Sequence, residues 1–445
     1  MLGLASDVIS SIDVSTAFLQ ADEYDESVEP KYVYYQPYKH APKQYYRLKG
    51  ALYGLRSASL SWHKTIAEWL THADQGFEQG KNDPCIFVNK TTGLRLALVV
   101  DDVLCKGPMT ASKQFYRSLA ARFDVKPPDY LTKTTPITYV GLDIKLIEHN
   151  KSEYVSIDQT IDLERYLEEI DVPSVQKVDN PMTNKWKCSE DKTQVSDERA
   201  ARFRAIIGAL NFYACATRYD IAYPVSRLAQ FSSQPTVSAE QALERVLKYL
   251  KCHSDFQITS KLYNNTNDID IYSDSDLAGD KSFDSRSQSG TMIILNGAPV
   301  YWRSKKQPDT AISSACAEIY ALSESVKESR LFHFRAEELG MKPVTPIVLQ
   351  VDNSQAKSFQ EGTCVNSKLR GTFDIRCDWV EELRQRHNIR VVKVSSENNC
   401  ADLCTKAHNT QRFKQLLNLI TNKEVRTLKK NYIARAMVAT GAQVA

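Results

Sequence analysis

The sequence predicts a mixed fold, in which an α+β part is followed by an α/β part, with a mainly helical segment between them. Two adjacent acids, Asp101 and Asp102, interrupt an apolar run from Leu96 to Cys105, which is typical of a β-hairpin that carries carboxylates at its tip. From about residue 266, apolar strands that end in an acid alternate with helical stretches, as in an α/β sheet. The residues between these two parts repeat apolar side chains at helical spacing.

Length and composition are those of a globular protein. The chain has 445 residues, of which 42% are hydrophobic and 25% charged, and its length suggests about two to four domains. Changes in pattern place the expected domains at 1–145, 146–265 and 266–406, followed by a tail at 407–445. The sequence therefore predicts three domains and a C-terminal tail.

The first segment, 1–145, alternates short β-like runs with helical pieces and carries three acids of interest. Asp13 closes a β-like run, and Phe18 follows five residues later. Together with Asp101 and Asp102, Asp13 predicts a carboxylate cluster on neighbouring strands, which is what two-metal nucleotidyl transfer requires. For the Asp101–Asp102 pair by itself, an exposed turn with two ordinary acids remains the alternative.

The second segment, 146–265, is predicted to be mainly helical. Thr236 to Lys251 carries Leu243, Val246, Leu247 and Leu250 on one face, which predicts an amphipathic helix. Residues 202–230 are also predicted to be helical, and the polar stretch 187–198 is predicted to be an exposed loop. A plain helical bundle without a nucleic-acid role is the alternative interpretation.

The third segment, 266–406, places four acids where an α/β sheet collects ligands. Asp274 and Asp352 each end an apolar strand, Glu318 begins a helix, and Asp402 begins the last helical segment. Because strand ends and helix starts meet at one edge of such a sheet, these four carboxylates are predicted to form a second metal site. A hairpin with Asn296-Gly297 at a type I′ turn and a further strand at 389–394 complete the predicted sheet.

An ordered series of short motifs connects these segments to a known family. The motifs are Asp13 to Leu19, Leu52-Tyr53-Gly54-Leu55 with Ala58 and Trp62, Asp83-Pro84-Cys85, Gly107, Tyr139 to Ile144, Asn180-Pro181-Met182, Ile207 to Leu210, Asp220-Ile221-Ala222, Val225 to Leu228, Tyr272-Ser273-Asp274 with Ala278-Gly279-Asp280, Ser287 to Gly290, Ser304 to Gln307, Ala317-Glu318, Val351 to Ser354 and Ala401 to Lys406. Between about residues 11 and 406, the chain resembles the Pol region of copia-type retrotransposons, a reverse transcriptase followed by RNase H.

This resemblance implies a palm and thumb followed by an RNase H-like domain, with RNA-directed DNA polymerase and RNase H activities. It implies that seven acids are catalytic and bind Mg²⁺ or Mn²⁺, and that Phe18 screens the 2′ position of the sugar. The expected partners are an RNA template, a DNA primer, an RNA–DNA hybrid and dNTPs. Lys305, Lys306 and Trp302 are expected to follow one strand of the hybrid. The seven acids are Asp13, Asp101, Asp102, Asp274, Glu318, Asp352 and Asp402.

Three departures from the family pattern qualify the expected activity. Val99 replaces the usual Tyr before the Asp pair, and Gly371 to Arg376 lacks the usual Lys-His. The family's fingers segment would lie upstream of Asp13, so the sequence is interpreted as N-terminally truncated, with weak or absent polymerase activity and intact RNase H. A non-catalytic remnant that binds nucleic acid or is inert is the alternative.

The distribution of charge and the spacing of the cysteines bear on the role of the tail and on the compartment in which the protein is expected. The formal net charge is +3, and the tail 407–445 carries seven basic residues against one acid, 7 − 1 = +6, which leaves 3 − 6 = −3 for the rest. The tail is therefore either a phosphate-contacting arm or a solvated end. The ten cysteines lack paired metal-site spacing and indicate free thiols. We expect an intracellular protein without membrane spans, cytoplasmic in a virus-like particle or nuclear; the sequence leaves its oligomeric state open.

Overall fold

The computed structural model describes residues 7–22, 30–149, 152–173, 177–186, 193–261, 268–279, 284–341, 346–352, 372–386 and 389–421. Two compact units divide the chain, Met1–Ile147 with Phe334–Met341, and Glu148–His333 with Lys342–Ala445. The unit boundary lies close to the one expected near residue 145, whereas the boundary expected near 265 lies inside the second unit. Asp280, Asn353-Ser354, Gly371, residues 187–192 of the predicted loop and the tail from 422 onward lie outside the described residues.

The first unit is an antiparallel sheet with two helices. Its elements are β1 (Asp7–Asp13), β2 (Tyr32–Tyr35), β3 (Gln44–Arg47), α1 (Ala58–Thr71), β4 (Glu78–Gln79), β5 (Ile86–Val88), β6 (Arg95–Val99), β7 (Asp102–Pro108), α2 (Met109–Arg122), β8 (Asp129–Tyr130), β9 (Ile137–Tyr139) and β10 (Leu142–His149). Six strands form one sheet in the order β4-β5-β6-β7-β1-β8, while β2 and β3 form a separate two-stranded ribbon. This is the α+β layer that the sequence predicts.

The core of the first unit fixes the sheet against its helices. Trp62 and Leu70 of α1 and Leu119 of α2 are almost fully buried, in one cluster with Phe87 and Leu96 of the sheet. This apolar layer anchors β1, β6 and β7, the strands that carry the acids.

The second unit begins with the mainly helical segment. Its elements are β11 (Ser152–Asp158), α3 (Thr160–Glu169), α4 (Asp197–Ala216), α5 (Ala222–Ala229), α6 (Val237–Cys252) and β12 (Gln257–Lys261). The predicted amphipathic helix is confirmed as α6, and its first turn is capped by Thr236, whose hydroxyl accepts a hydrogen bond from the Ala239 N–H. In the helical core, Arg218 and Asp220 form a buried ion pair.

The rest of the second unit is built on a five-stranded mixed sheet. Its elements are β13 (Ile269–Asp276), β14 (Gln288–Leu295), β15 (Ala298–Lys306), α7 (Ser314–Glu338), β16 (Ile347–Val351), α8 (Thr372–Arg386), β17 (Ile389–Lys393) and α9 (Thr410–Thr421). The order is β15-β14-β13-β16-β17, with β14 antiparallel to both neighbours and β13, β16 and β17 parallel. This is the predicted RNase H-like arrangement.

The turn between β14 and β15 has the conformation that its sequence predicts. Asn296 and Gly297 both have positive φ, 48° and 98°, which confirms the predicted type I′ turn between β14 and β15. In the part of the chain that the structure describes, no helix combines the length and apolarity that a membrane span requires. The acids of interest lie on two separate sheets, Asp13 and Asp102 on the six-stranded sheet and Asp274 on the five-stranded sheet.

Candidate active sites

Three carboxylates meet at one end of the five-stranded sheet. Asp274 lies in β13, Asp352 directly follows the parallel neighbour β16, and Glu318 lies in the second turn of α7. Since Ile271 pairs with Leu349, both aspartates lie three residues further along their strands, at the same level. One carboxylate oxygen from each of the three acids lies within 4.8 Å of the other two.

Burial and nearby negative charge raise the pKa of two carboxylates of this triad, Glu318 and Asp274. Burial is the largest effect and raises the pKa of the Glu318 carboxyl to about 9, with further upward contributions from Asp274 and Asp352. The pKa of Asp274 is raised to about 7, again chiefly by burial, while Lys406 opposes the shift and Asp402 adds to it. Like charges are thus held together at a cost that a cation relieves.

Asp402, the fourth expected ligand, is held differently. It lies on a short 3₁₀ helix, Cys400–Cys404, and is not among the described acids that come within 4.8 Å of one another. Its carboxylate instead pairs with Lys406 Nζ at 2.6 Å and Arg412 Nη2 at 2.9 Å. The structure therefore places Asp402 beside the triad, where its charge acts on Asp274, but engages its oxygens with cations.

The second acidic group lies on the six-stranded sheet of the first unit. Asp13 on β1 lies directly opposite Asp102 at the start of β7, and Asp101 occupies the turn between β6 and β7. The preceding turn residue, Val100, has a φ of 54°, a left-handed conformation that is strained for a β-branched side chain. Trp62 holds this turn, because its Nε1 donates a hydrogen bond to the Val100 carbonyl at 2.6 Å.

The charges around this group include a cation that the sequence analysis missed. Lys126 Nζ lies 3.1 Å from Asp13 Oδ1, so a lysine adjoins the aspartates of this sheet. Burial, followed by the charge of Asp101, raises the pKa of Asp102, while a hydrogen bond from the Val140 N–H lowers it. Phe18 lies on the 3₁₀ helix that follows β1, and its ring contacts that of Tyr53 at 4.8 Å between centroids.

One family model and several curated proteins match the chain. Residues 4–184 match the family model described as reverse transcriptase (RNA-dependent DNA polymerase). The chain is 29% identical over 94% of its length to the retrovirus-related Pol polyprotein from transposon RE1 of Arabidopsis thaliana. It is 30% identical over 91% to that from transposon RE2 of the same plant, and 25% identical over 93% to that from transposon TNT 1-94 of Nicotiana tabacum.

The chain belongs with the copia-type Pol polyproteins.

This copia-type chain spans 28%, 27% and 31%, respectively, of the length of those three relatives. Among solved structures, a foamy viral protease-reverse transcriptase in complex with dsDNA aligns with 87% of this chain and 68% of its own, at 11% identity and a TM-score of 0.46. LC11-RNase H1 in complex with an RNA/DNA hybrid aligns with 31% of this chain and 93% of its own, at 18% identity and a TM-score of 0.25.

A close approach of backbones positions the Asp402 segment of the copia-type chain. Gly290 pairs with Asp274 across β13 and β14, and a Cβ at this glycine would lie 2.7 Å from the Ala401 carbonyl oxygen. The Thr405 hydroxyl donates a hydrogen bond to Asp274 Oδ2. Only glycine lets the 3₁₀ segment pack directly on the strand, which brings Thr405 and Lys406 next to the triad.

The expected hybrid-tracking residues are only partly available. Lys305 is exposed, but Lys306 Nζ pairs with Asp284 Oδ2 at 2.5 Å. The expectation that Trp302 stacks on a nucleic-acid strand is wrong. This side chain packs against the helical core, and its Nε1 donates a hydrogen bond to the Ala214 carbonyl at 2.6 Å. The alternation of apolar and polar residues along β15 did not indicate that this face is covered by α4.

The donor set of the triad fits a divalent cation. Three carboxylates offer oxygen atoms within 4.8 Å of one another, and the pKa of two of them, Asp274 and Glu318, is raised chiefly by burial and further by neighbouring carboxylates. Hard divalent cations prefer such oxygen ligands and would neutralise the repulsion.

The raised pKa of Glu318 makes the stability of the metal-free protein depend on pH. Between the ordinary pKa near 4.5 and the folded value of about 9, the native state binds more protons than the unfolded state, so stability falls as pH rises through this window. In EDTA, we expect Glu318→Gln to flatten this decline and to raise the Tm at pH 8 by roughly 2–4 °C, the shift for about 1 kcal/mol in a domain of this size.

Calorimetry of both proteins between pH 5 and 9 measures this effect. The matched control is Glu337→Gln, which neutralises an exposed acid on the same helix and should follow the wild-type curve. Parallel curves for wild type and Glu318→Gln would contradict the repulsion described above.

Proposed function

We propose that the second unit hydrolyses the RNA strand of an RNA–DNA hybrid, using Mg²⁺ or Mn²⁺ at Asp274, Glu318 and Asp352. The proximity of these three carboxylates on an RNase H-like sheet is the observation that carries this proposal. The membership of the chain among copia-type Pol polyproteins supports it.

The residues of the chain divide the work at this site. When bound, the divalent ions would activate the attacking water and stabilise the leaving oxygen of the scissile phosphate. Asp274 and Asp352 fix two ligand positions, because each is set by a hydrogen-bonded strand, and Glu318 adds a third from α7. Asp402 acts on Asp274 through its charge, and Lys406 offsets part of the negative charge when the site is empty.

We propose in addition that the first unit extends a DNA primer on an RNA template, with Asp13, Asp101 and Asp102 as the metal ligands. The placement of Asp13 opposite Asp102 favours this second activity, and so does the match of residues 4–184 to the reverse transcriptase family. Lys126, which pairs with Asp13, is proposed to contact the phosphates of a bound dNTP. Phe18 is proposed to exclude a 2′-hydroxyl from the incoming sugar.

The nuclease proposal is tested with one labelled RNA presented in three forms. The full chain is incubated with RNA alone, with RNA paired to RNA and with RNA paired to DNA, in Mg²⁺, in Mn²⁺ and in EDTA. We expect cleavage of the RNA–DNA hybrid with either metal, much less cleavage of the other substrates, and none in EDTA, because metal-assisted hydrolysis requires the ions and the hybrid is recognised by groove shape. No cleavage with either metal would favour an inert remnant, and equal cleavage of all substrates would contradict hybrid recognition.

A further inference from the structure

The ribbon of β2 and β3 belongs to a stretch of unusual composition. From Pro30 to Ser57 the sequence contains seven tyrosines and six lysines or arginines, and it contains no aspartate or glutamate. The nearest acids on the N-terminal side, at 23, 25, 26 and 29, lie outside the described residues. Apart from Tyr53, whose ring contacts that of Phe18, these side chains have no part in the carboxylate sites described above, so the stretch requires its own explanation.

The geometry of the ribbon leaves its aromatic rings in solvent. Tyr34 of β2 lies directly opposite Tyr45 of β3, their side chains are 57% and 69% exposed, and their ring centroids are 6.3 Å apart. Among the described residues, the ribbon forms a sheet with no other strand. Exposed aromatic surface of this extent on a two-stranded ribbon is unusual unless a partner covers it.

Cations accompany the rings on the same ribbon. Lys43 Nζ lies 4.2 Å from the centre of the Tyr34 ring, and Arg47 pairs with Tyr32 across the strands. Because side chains alternate along a strand, Tyr32, Tyr34, Tyr45 and Arg47 share one face of the ribbon. This face therefore combines planar rings with positive charge.

We propose that this face, which we call the tyrosine ribbon, binds single-stranded nucleic acid. Unpaired bases stack on exposed rings irrespective of sequence, while lysines and arginines contact the phosphates. A duplex offers phosphates but keeps its base faces stacked within the helix, so the rings favour an unpaired strand. The inference deepens the proposed function, since it assigns a surface to an unpaired strand, but it requires neither carboxylate site.

The test measures binding in EDTA, so that its outcome does not depend on catalysis. The full chain is titrated with a labelled oligo(dT) of about 16 nucleotides, the upper site size for such a surface, and with a blunt duplex. The double variant Tyr34→Ala/Tyr45→Ala should bind oligo(dT) roughly 10- to 100-fold more weakly, since stacking is lost, with little change for the duplex. The matched control, Tyr34→Phe/Tyr45→Phe, keeps both rings and should bind within about two-fold of wild type.

Two results would overturn the tyrosine ribbon as a single-strand surface. They are unchanged binding of oligo(dT) by the alanine variant, and equal weakening of the binding of oligo(dT) and of the duplex. Circular dichroism of all variants verifies the fold, which these exposed positions should leave intact. Hybrid cleavage by the same preparations reports separately on the proposed nuclease.

Discussion

Glu318→Gln should abolish cleavage of the RNA strand of a hybrid, with a loss of roughly 10²–10³-fold or more in rate. Glutamine keeps the shape of the side chain but removes the negative charge that would hold a divalent ion beside Asp274 and Asp352. Losing about 3–4 kcal/mol of metal-mediated stabilisation of the transition state corresponds to that factor. Single-turnover cleavage of labelled hybrid in Mg²⁺ measures the rate of both proteins.

Two controls separate this effect from unfolding and from contamination. Glu337→Gln lies on the same helix in an exposed position and should cleave at the wild-type rate. Primer extension, if the first unit supports it, should be the same in Glu318→Gln and wild type. Equal cleavage by Glu318→Gln and wild type would show that a contaminating nuclease, and not the triad, is responsible.

Asp102→Asn should have the opposite pattern, with primer extension reduced by roughly 10²–10³-fold and hybrid cleavage unchanged. Asp102 faces Asp13 across two paired strands, so its charge is needed to hold an ion between them. The loss again corresponds to about 3–4 kcal/mol at the transition state. Extension of a DNA primer on an RNA template, followed on a sequencing gel, measures the change.

The control for this variant is Asp129→Asn, which neutralises an exposed acid on the neighbouring strand β8 of the same sheet. It should extend the primer as wild type does. Absence of extension by the wild-type chain, in a preparation that cleaves hybrid, would remove the polymerase from the proposed function. Full extension by Asp102→Asn would remove this aspartate from the site.

The local elements of both units were predictable because they depend on short-range chemistry. Asn296-Gly297 requires a type I′ turn, and the turn is present. The apolar repeat between Thr236 and Lys251 predicts an amphipathic helix, and the helix is present. The acids at strand ends were predictable for a different reason, because parallel strands of an α/β sheet bring their ends to one edge.

The partners of long-range side chains were not predictable from spacing. Lys126 lies more than a hundred residues from Asp13, and nothing in either segment specifies that they meet. Asp402 has the position expected of a ligand, yet its oxygens pair with Lys406, four residues further along the chain, and with Arg412, so the position of an acid did not show that cations engage it. The alternation of residues along a strand also does not show what covers each face, as Trp302 of β15 shows.

The segments before and after residue 265, where a domain boundary was expected, share one core. A change of pattern from helical to strand-like suggested two separate cores. In the structure, Leu210 and Leu250 of the helices lie in one buried cluster with Met292 of the sheet and Phe413 of α9. Apolar faces from both segments cover each other, so a change of secondary structure did not coincide with a change of core.

The strained turn at Val100 makes the geometry of the Asp101–Asp102 hairpin depend on the packing of the core beside it. A β-branched residue in the left-handed region is unfavourable by about 1–3 kcal/mol and persists only while its surroundings enforce it. Trp62 of α1 holds this conformation through its hydrogen bond to the Val100 carbonyl, and its side chain is part of the core of the first unit. Mutations that merely loosen this core therefore let the turn relax first. A drifting copy of such a gene would lose the alignment of Asp13, Asp101 and Asp102 while still folding, so the proposed primer extension would be lost before the fold.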